Sequence, residues 1–267
     1  MLKDITLGQY FPGDTVIHRL DPRTKLIGTV VFIAALFTAK GFAGYAAVIA
    51  FLALVMLLSH IGPKAVLKGL KPLIYIIVFT AVLNIFFTPG DIVWQFHFLK
   101  ITREGLTNAV YMVLRVMLLV AGTFLLTYTT SPLAITDGLE RLLNPLKKLH
   151  VPVYEFSLLM SLALRFIPSL IEDTDRIMSA QKSRGAEFDT GKLTDRAKAL
   201  LPLLIPLFVS AFRRSEELAT AMECRCYNGG EGRSRMKQLS MKACDAGALC
   251  VIFALLAAVI VLRSFGL

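Results

Sequence analysis

Two arginines occupy matching places in this chain. Arg184 lies nine residues after Asp175, and Arg225 lies nine residues after Glu216. Glycine follows each arginine within five residues, at Gly185 in one case and at Gly229 and Gly230 in the other. Two kinds of chemistry suit that pattern. A cation in the last turn of a helix opposes the negative end of the helix dipole and bonds the free carbonyls, worth about 0.3–1 kcal/mol. Alternatively, each helix tip presents a planar guanidinium fork to a groove on a partner subunit, where it can grip a carboxylate in bidentate fashion and lysine cannot. In that case losing one member of the buried pair costs about 2–5 kcal/mol, because the other charge is left unpaired. The candidate contact residues are Ser183, Arg184 and Gly185 at the first tip, with Cys224, Arg225 and Cys226 at the second. The small neighbours would let a groove wall come close.

Other chemistry is scarce. The spacing of Cys224, Cys226, Cys244 and Cys250 matches no usual zinc or haem pattern, and four cysteines in 267 residues do not make a disulfide framework. Reduced thiols are the simpler reading. Gly191-Lys192 is followed by Leu193 where a phosphate loop wants Ser or Thr. H-E-x-x-H and G-x-S-x-G are absent, so no catalytic residue, metal ligand or cofactor-binding residue is assigned. If ATP is used, a partner hydrolyses it. Arg115 interrupts an otherwise uncharged stretch and reads as a helix-bundle anchor, bonded to carbonyls or to an amide such as Asn84. His97 reads as structural.

The elements that must carry the two arginines are set by a greasy, basic composition. The chain is 55% hydrophobic with a mean hydropathy of +0.64, and its net charge is +10. That balance argues against a water-soluble monomer. Crossing about 30 Å of hydrocarbon takes around 20 apolar residues, which predicts five spans, at residues 26–38, 41–63, 72–90, 105–130 and 246–262. The first and last are short unless Lys25, Lys40 and Arg263 snorkel. Lys3, Arg19, Arg23 and Lys25, and then Lys64, Lys68 and Lys71, put the N-terminus and the second inter-span link in the cytoplasm. Residues 92–101 read as an interfacial loop or short helix. No cleavable secretory signal is visible in residues 1–25.

Residues 131–242 hold 17 of the 29 Lys/Arg and 13 of the 19 Asp/Glu, and their longest uncharged run is too short to cross. Apolar residues there recur at three- and four-residue steps, predicting two long amphipathic helices over 154–187 and 194–227 and a shorter one over 133–149. The expected architecture is therefore an all-α integral membrane protein in three parts. An N-terminal membrane domain covers residues 1–130, a cytoplasmic coupling-helix domain covers 131–242, and a last transmembrane helix covers 243–267.

The opening run from Gly8 to Lys25, GQYFPGDTVIHRLDPRTK, is similar to the G-x-Y-x-P-G-[DN]-S-x-x-H-x-L-D-P-R-x-K opening of the transmembrane T components of energy-coupling factor (ECF) transporters, with Thr15 in place of Ser. Ser183-Arg184-Gly185 and Cys224-Arg225-Cys226 resemble that family's two X-R-X coupling motifs, Cys226 standing where the family often has Gly. The resemblance implies a non-catalytic scaffold in the cell membrane. Two ABC-type ATPase subunits would hold the ATP and Mg and receive Arg184 and Arg225. A small membrane-embedded S component would bind the vitamin and be reoriented by the coupling helices. Two other readings remain open: a self-contained secondary transporter or channel, and a surface scaffold whose basic helices bind anionic lipid.

Overall fold

The computed structural model describes residues 10–89, 91–96, 99–149, 152–186, 193–229 and 239–265. Local signals account for where the helices begin. Thr15 caps α1 (Val16–Arg19) through its hydroxyl. Asp21 caps α2 (Pro22–Thr38), with Pro22 in the first turn, where a missing N–H costs nothing. There follow α3 (Gly41–Ser59) and α4 (Pro63–Leu70), the latter passing through a 3₁₀ turn (Lys71–Leu73) into α5 (Ile74–Phe87). A hairpin of β1 (Ile92–Phe96) and β2 (Leu99–Thr102) leads to α6 (Arg103–Thr129), α7 (Pro132–Leu143), a second 3₁₀ turn (Asn144–Leu149), α8 (Val153–Ser183), α9 (Leu193–Glu223) and α10 (Ala243–Ser264).

Among the described residues the fold is all-α apart from that hairpin, which corrects the expected loop or short helix at 92–101. The strands pair antiparallel with Phe96 opposite Leu99 and Ile92 opposite Thr102, and the register shifts between Ile92 and Trp94. The β-branched and aromatic content of Ile92-Val93-Trp94 favours a strand once a partner lies alongside. His97 lies outside the described residues.

The chain divides into two compact units. One comprises residues 8–141 and 239–267. Its core is built from Phe32, Ala35 and Leu36 of α2, Tyr45, Val48 and Leu52 of α3, Leu118, Ala121, Leu125 and Tyr128 of α6, and Ile252, Leu255 and Val259 of α10. Helices in lipid associate by close packing rather than by the hydrophobic effect, so small residues matter at their contacts. Gly122 shows it: a Cβ there would stand 2.4 Å from the Phe32 ring. Outward positions such as Phe42, Tyr75 and Phe87 are exposed and apolar, as a lipid-facing surface requires.

Among the described residues, five helical segments are long and apolar enough to cross a bilayer: α3, α4–α5, α6, α8 and α10. Four match the expected spans. The fifth differs, because α2 has only 17 residues, about 25 Å, between its Asp21 cap and the break at Lys40-Gly41. α8 qualifies instead, since Glu155 and Arg165 are its only charges before Glu172, yet its hydropathy of 1.3 is well below the 2.1–2.6 of the others. α8 and α9 belong to the second unit, within residues 142–238.

Candidate functional site

The two arginines share one backbone geometry. At the end of α8 the Ala186 N–H donates to the Gln181 carbonyl and the Gly185 N–H to the Lys182 carbonyl, each at 3.0 Å, with Gly185 at φ +87. At the end of α9 the Tyr227 N–H donates to the Met222 carbonyl at 3.0 Å and the Cys226 N–H to the Glu223 carbonyl at 2.8 Å, with Cys226 at φ +55. Both are Schellman closures, in which a left-handed residue lets the chain fold back on the last free carbonyls. In each X-R-X triplet the third residue therefore takes the left-handed turn and the arginine directly precedes it; Ser183 is the last residue of α8 and its C-cap is Arg184, whereas α9 ends at Glu223, just before Cys224. Glycine fills that turn at no steric cost; Cys226 carries a Cβ into it, at about 1–2 kcal/mol.

Ser183, Arg184, Gly185, Cys224, Arg225 and Cys226 are all exposed. Among the described residues neither Arg184 nor Arg225 has a carboxylate within 4.0 Å. Neither side chain bonds back to its own helix carbonyls. The cap itself is completed by backbone N–H groups, so the guanidinium forks take no part in closing the helix.

α8 and α9 are joined midway. Arg214 pairs with Asp173 at 2.8 Å, donates to the Ser169 hydroxyl and lies over the Phe166 ring at 5.9 Å. Ser210 adds a 3.5 Å bond to Asp173. A second tie involves prolines. The Pro202 carbonyl would receive its helical bond from residue 206, but Pro206 has no N–H. The Gln181 amide supplies the missing donor at 3.3 Å. These contacts ascend α8 as they descend α9, so the helices run antiparallel and Arg184 and Arg225 lie at opposite ends of the pair. Arg184 follows Asp173, and Arg225 follows Arg214, by eleven residues. Each arm is thus about 16 Å along its helix. Neither Asp173 nor Arg214 was singled out by spacing, because their meeting depends on the relative phase of two helices.

The opening run performs a separate task inside its own unit. His18 bridges the Thr15 hydroxyl at 2.7 Å and the Phe11 carbonyl at 3.1 Å, and Gly13 lies against its ring. Phe11 donates its N–H to the Tyr128 carbonyl at 3.0 Å and packs edge-on to that ring. Arg23 grips Asp21 with two side-chain bonds of 3.1 and 3.0 Å and also reaches the Leu239 carbonyl. The buried Asp245 carboxylate at the start of α10 accepts from the Asp21 N–H at 2.7 Å and the Lys242 N–H at 2.8 Å. Lys25 donates to the His18 and Thr129 carbonyls. Burial alone would raise the Asp21 carboxyl, but the Arg23 guanidinium and N–H bonds hold it below its ordinary value.

Arg115 is an anchor, though not to the expected partners. Its Nε donates to the Tyr45 hydroxyl at 3.0 Å and its guanidinium lies 5.7 Å from the Phe37 ring centre, a cation–π position. Asn84 instead bonds the Thr80 carbonyl in its own helix. All four cysteines are free thiols, and no group of three metal-binding side chains is found among the described residues.

Comparison with known proteins agrees with this architecture. The CbiQ family, described as cobalt transport protein, matches residues 13–237. The energy-coupling factor transporter transmembrane protein EcfT of Thermosediminibacter oceani is 52% identical over 247 residues, 92% of this chain and 93% of that protein. The protein of the same name from Ruminiclostridium cellulolyticum is 51% identical over 245 residues, 92% of each chain. That of Bacillus subtilis is 46% identical over 265 residues, 99% of this chain and all of its own length. With the opening run, the paired X-R-X tips and near full-length similarity in place, the chain belongs to the CbiQ/EcfT family of energy-coupling factor transporter transmembrane proteins.

Proposed function

We propose that this chain is the transmembrane scaffold of an ECF-type importer and that it carries force between two ABC-type ATPases and a small vitamin-binding S component. It is non-catalytic: ATP and Mg belong to the ATPases. The N-terminus and the coupling helices of residues 131–242 face the cytoplasm, between a membrane domain of residues 1–130 and a last span in 243–267.

The observation that carries this reading is the pair of exposed guanidinium forks at opposite ends of one pinned helix pair, neither with a carboxylate within 4.0 Å among the described residues. Each suits a groove with a carboxylate, one per ATPase. Between the tips, α9 exposes Leu201, Ile205, Phe208 and Phe212, an apolar stripe on which an S component can slide while retaining contact. A self-contained carrier needs ionisable residues lining its own path; Arg115 is already held by Tyr45 and Phe37.

The test is Arg184→Glu together with Arg225→Glu in the full chain. Co-purification of the ATPase pair should fall by at least about 30-fold, the loss of about 2 kcal/mol or more that breaking a buried charge pair brings, while membrane insertion is unchanged. Wild-type ATP-driven uptake by the double variant would overturn the coupling role.

A further inference from the structure

Within the membrane unit a groove of about 300 Å³ runs between α2, α3, α6 and α10, with α1 across one end. That volume is at the low end of those that hold small ligands. Its far end is apolar, closed by Phe32, Phe51 and Ile252. Its rim is open on the bilayer side, where Leu54, Leu58 and Val251 are each about half exposed. Towards the α1 end the groove is lined by Lys25, whose amine bonds the His18 and Thr129 carbonyls. No Asp or Glu lines the groove. Asp245 acts on Lys25 through space, but it is 2% exposed and both of its oxygens are already bonded. Lys25 spends two of its three N–H donors on carbonyls, leaving one.

A cation at one end of an apolar slot that opens sideways into hydrocarbon has the charge pattern of a phospholipid: an anionic head and a chain. We infer that this groove holds one anionic glycerophospholipid, its phosphate on Lys25 and an acyl chain laid along α2 towards Phe32. Basic pockets between membrane helices are a recurrent form of lipid headgroup site. Position 28 keeps the slot open. A Cβ on Gly28 would meet only the end of Ile252, at 3.6 Å, so a larger side chain there would grow into the groove without striking backbone. The lipid would be a structural filler joining the chain's first helices to its last one, distinct from any cargo.

The test uses the full chain in phosphatidylcholine nanodiscs containing a phosphatidylglycerol probe with a diazirine in its acyl chain. After photolysis, label should map to residues 24–32, 51–58, 122–129 and 248–252. Unlabelled phosphatidylglycerol should compete about fivefold better than phosphatidylcholine, the preference that one cation near the surface confers. Gly28→Leu should cut labelling severalfold, and so should Ala248→Leu from the opposite wall, which keeps the test alive if one variant fails to fold. Lys25→Met should abolish the preference between the two lipids while labelling persists. Equal competition by both lipids in the wild-type chain, or unchanged labelling in a folded wall variant, would overturn the assignment.

Discussion

Cys226 sits at φ +55 with a side chain that gains nothing from being there, whereas Gly185 occupies the equivalent turn of the other tip. The strain is local to the last turn of α9, so its relief is predictable. Cys226→Gly should slow amide exchange at Cys226 and Tyr227, the two N–H groups that close the helix, by roughly five- to thirtyfold, corresponding to about 1–2 kcal/mol. Gly185→Ala should do the reverse at Gly185 and Ala186. Exchange mass spectrometry with residue resolution reads both, and equal protection in wild type and Cys226→Gly would show that the turn carries no strain. Why Cys stands there has no physical account in the structure. The positions of the tips were legible in the residues because glycine after a cation is a helix stop. The identity of Cys226 as the left-handed residue was not, since cysteine has no preference for that region.

Helix by helix, the periodicity of α8 and α9 announced their length and amphipathic character, and the charge distribution set α9, though not α8, apart from the candidate spans. What spacing did not convey is how they meet. Pro202 and Pro206, four apart, each remove a helical bond, and the Pro202 carbonyl freed by Pro206 is answered from a neighbouring helix in the right phase. Gln181 gives that answer. Gln181→Leu should therefore destabilise the α8–α9 pair by about 0.5–1.5 kcal/mol, the net worth of one solvent-accessible hydrogen bond. In a Pro206→Ala background, where the substituted residue restores an N–H to the Pro202 carbonyl, the same change should cost a few tenths at most. A thermal-melting double-mutant cycle measures the coupling; additive losses would refute the repair role. The hairpin at 92–102 depends on the strand that lies alongside, which residue counting does not contain. The exchange of α2 for α8 among the long apolar helices rests instead on where each helix begins and ends.

At the scale of the whole molecule, the membrane unit is tied from end to end by the opening run. Asp21, Arg23 and Asp245 bring the start of α2 against the start of α10, more than 200 residues later. The opening motif was legible as a family signature, but Asp245 and Lys242 are unremarked in the sequence because their partners are so distant along it. The tie has a pH consequence. Because the folded Asp21 carboxyl titrates below its ordinary value, it contributes stability above about pH 4, where the unfolded carboxylate is also ionised. That contribution is lost as pH falls through the lower folded value. Melting of the detergent-solubilised chain should therefore steepen in its acid dependence below about pH 4, and Asp21→Asn should flatten that limb. An unchanged acid limb in the variant would show that Asp21 carries no such share.

The ion pair between Asp173 and Arg214 stands eleven residues from each arginine tip, on rods pointing opposite ways. Such a device is a balance beam with equal arms. A second tie, from Gln181 to the Pro202 carbonyl, holds the rods at another point along their length, so a load on either extremity is shared by both rods. Were the two tips to seat on two ATPases as proposed, each would load the beam at the same reach from the shared ion pair.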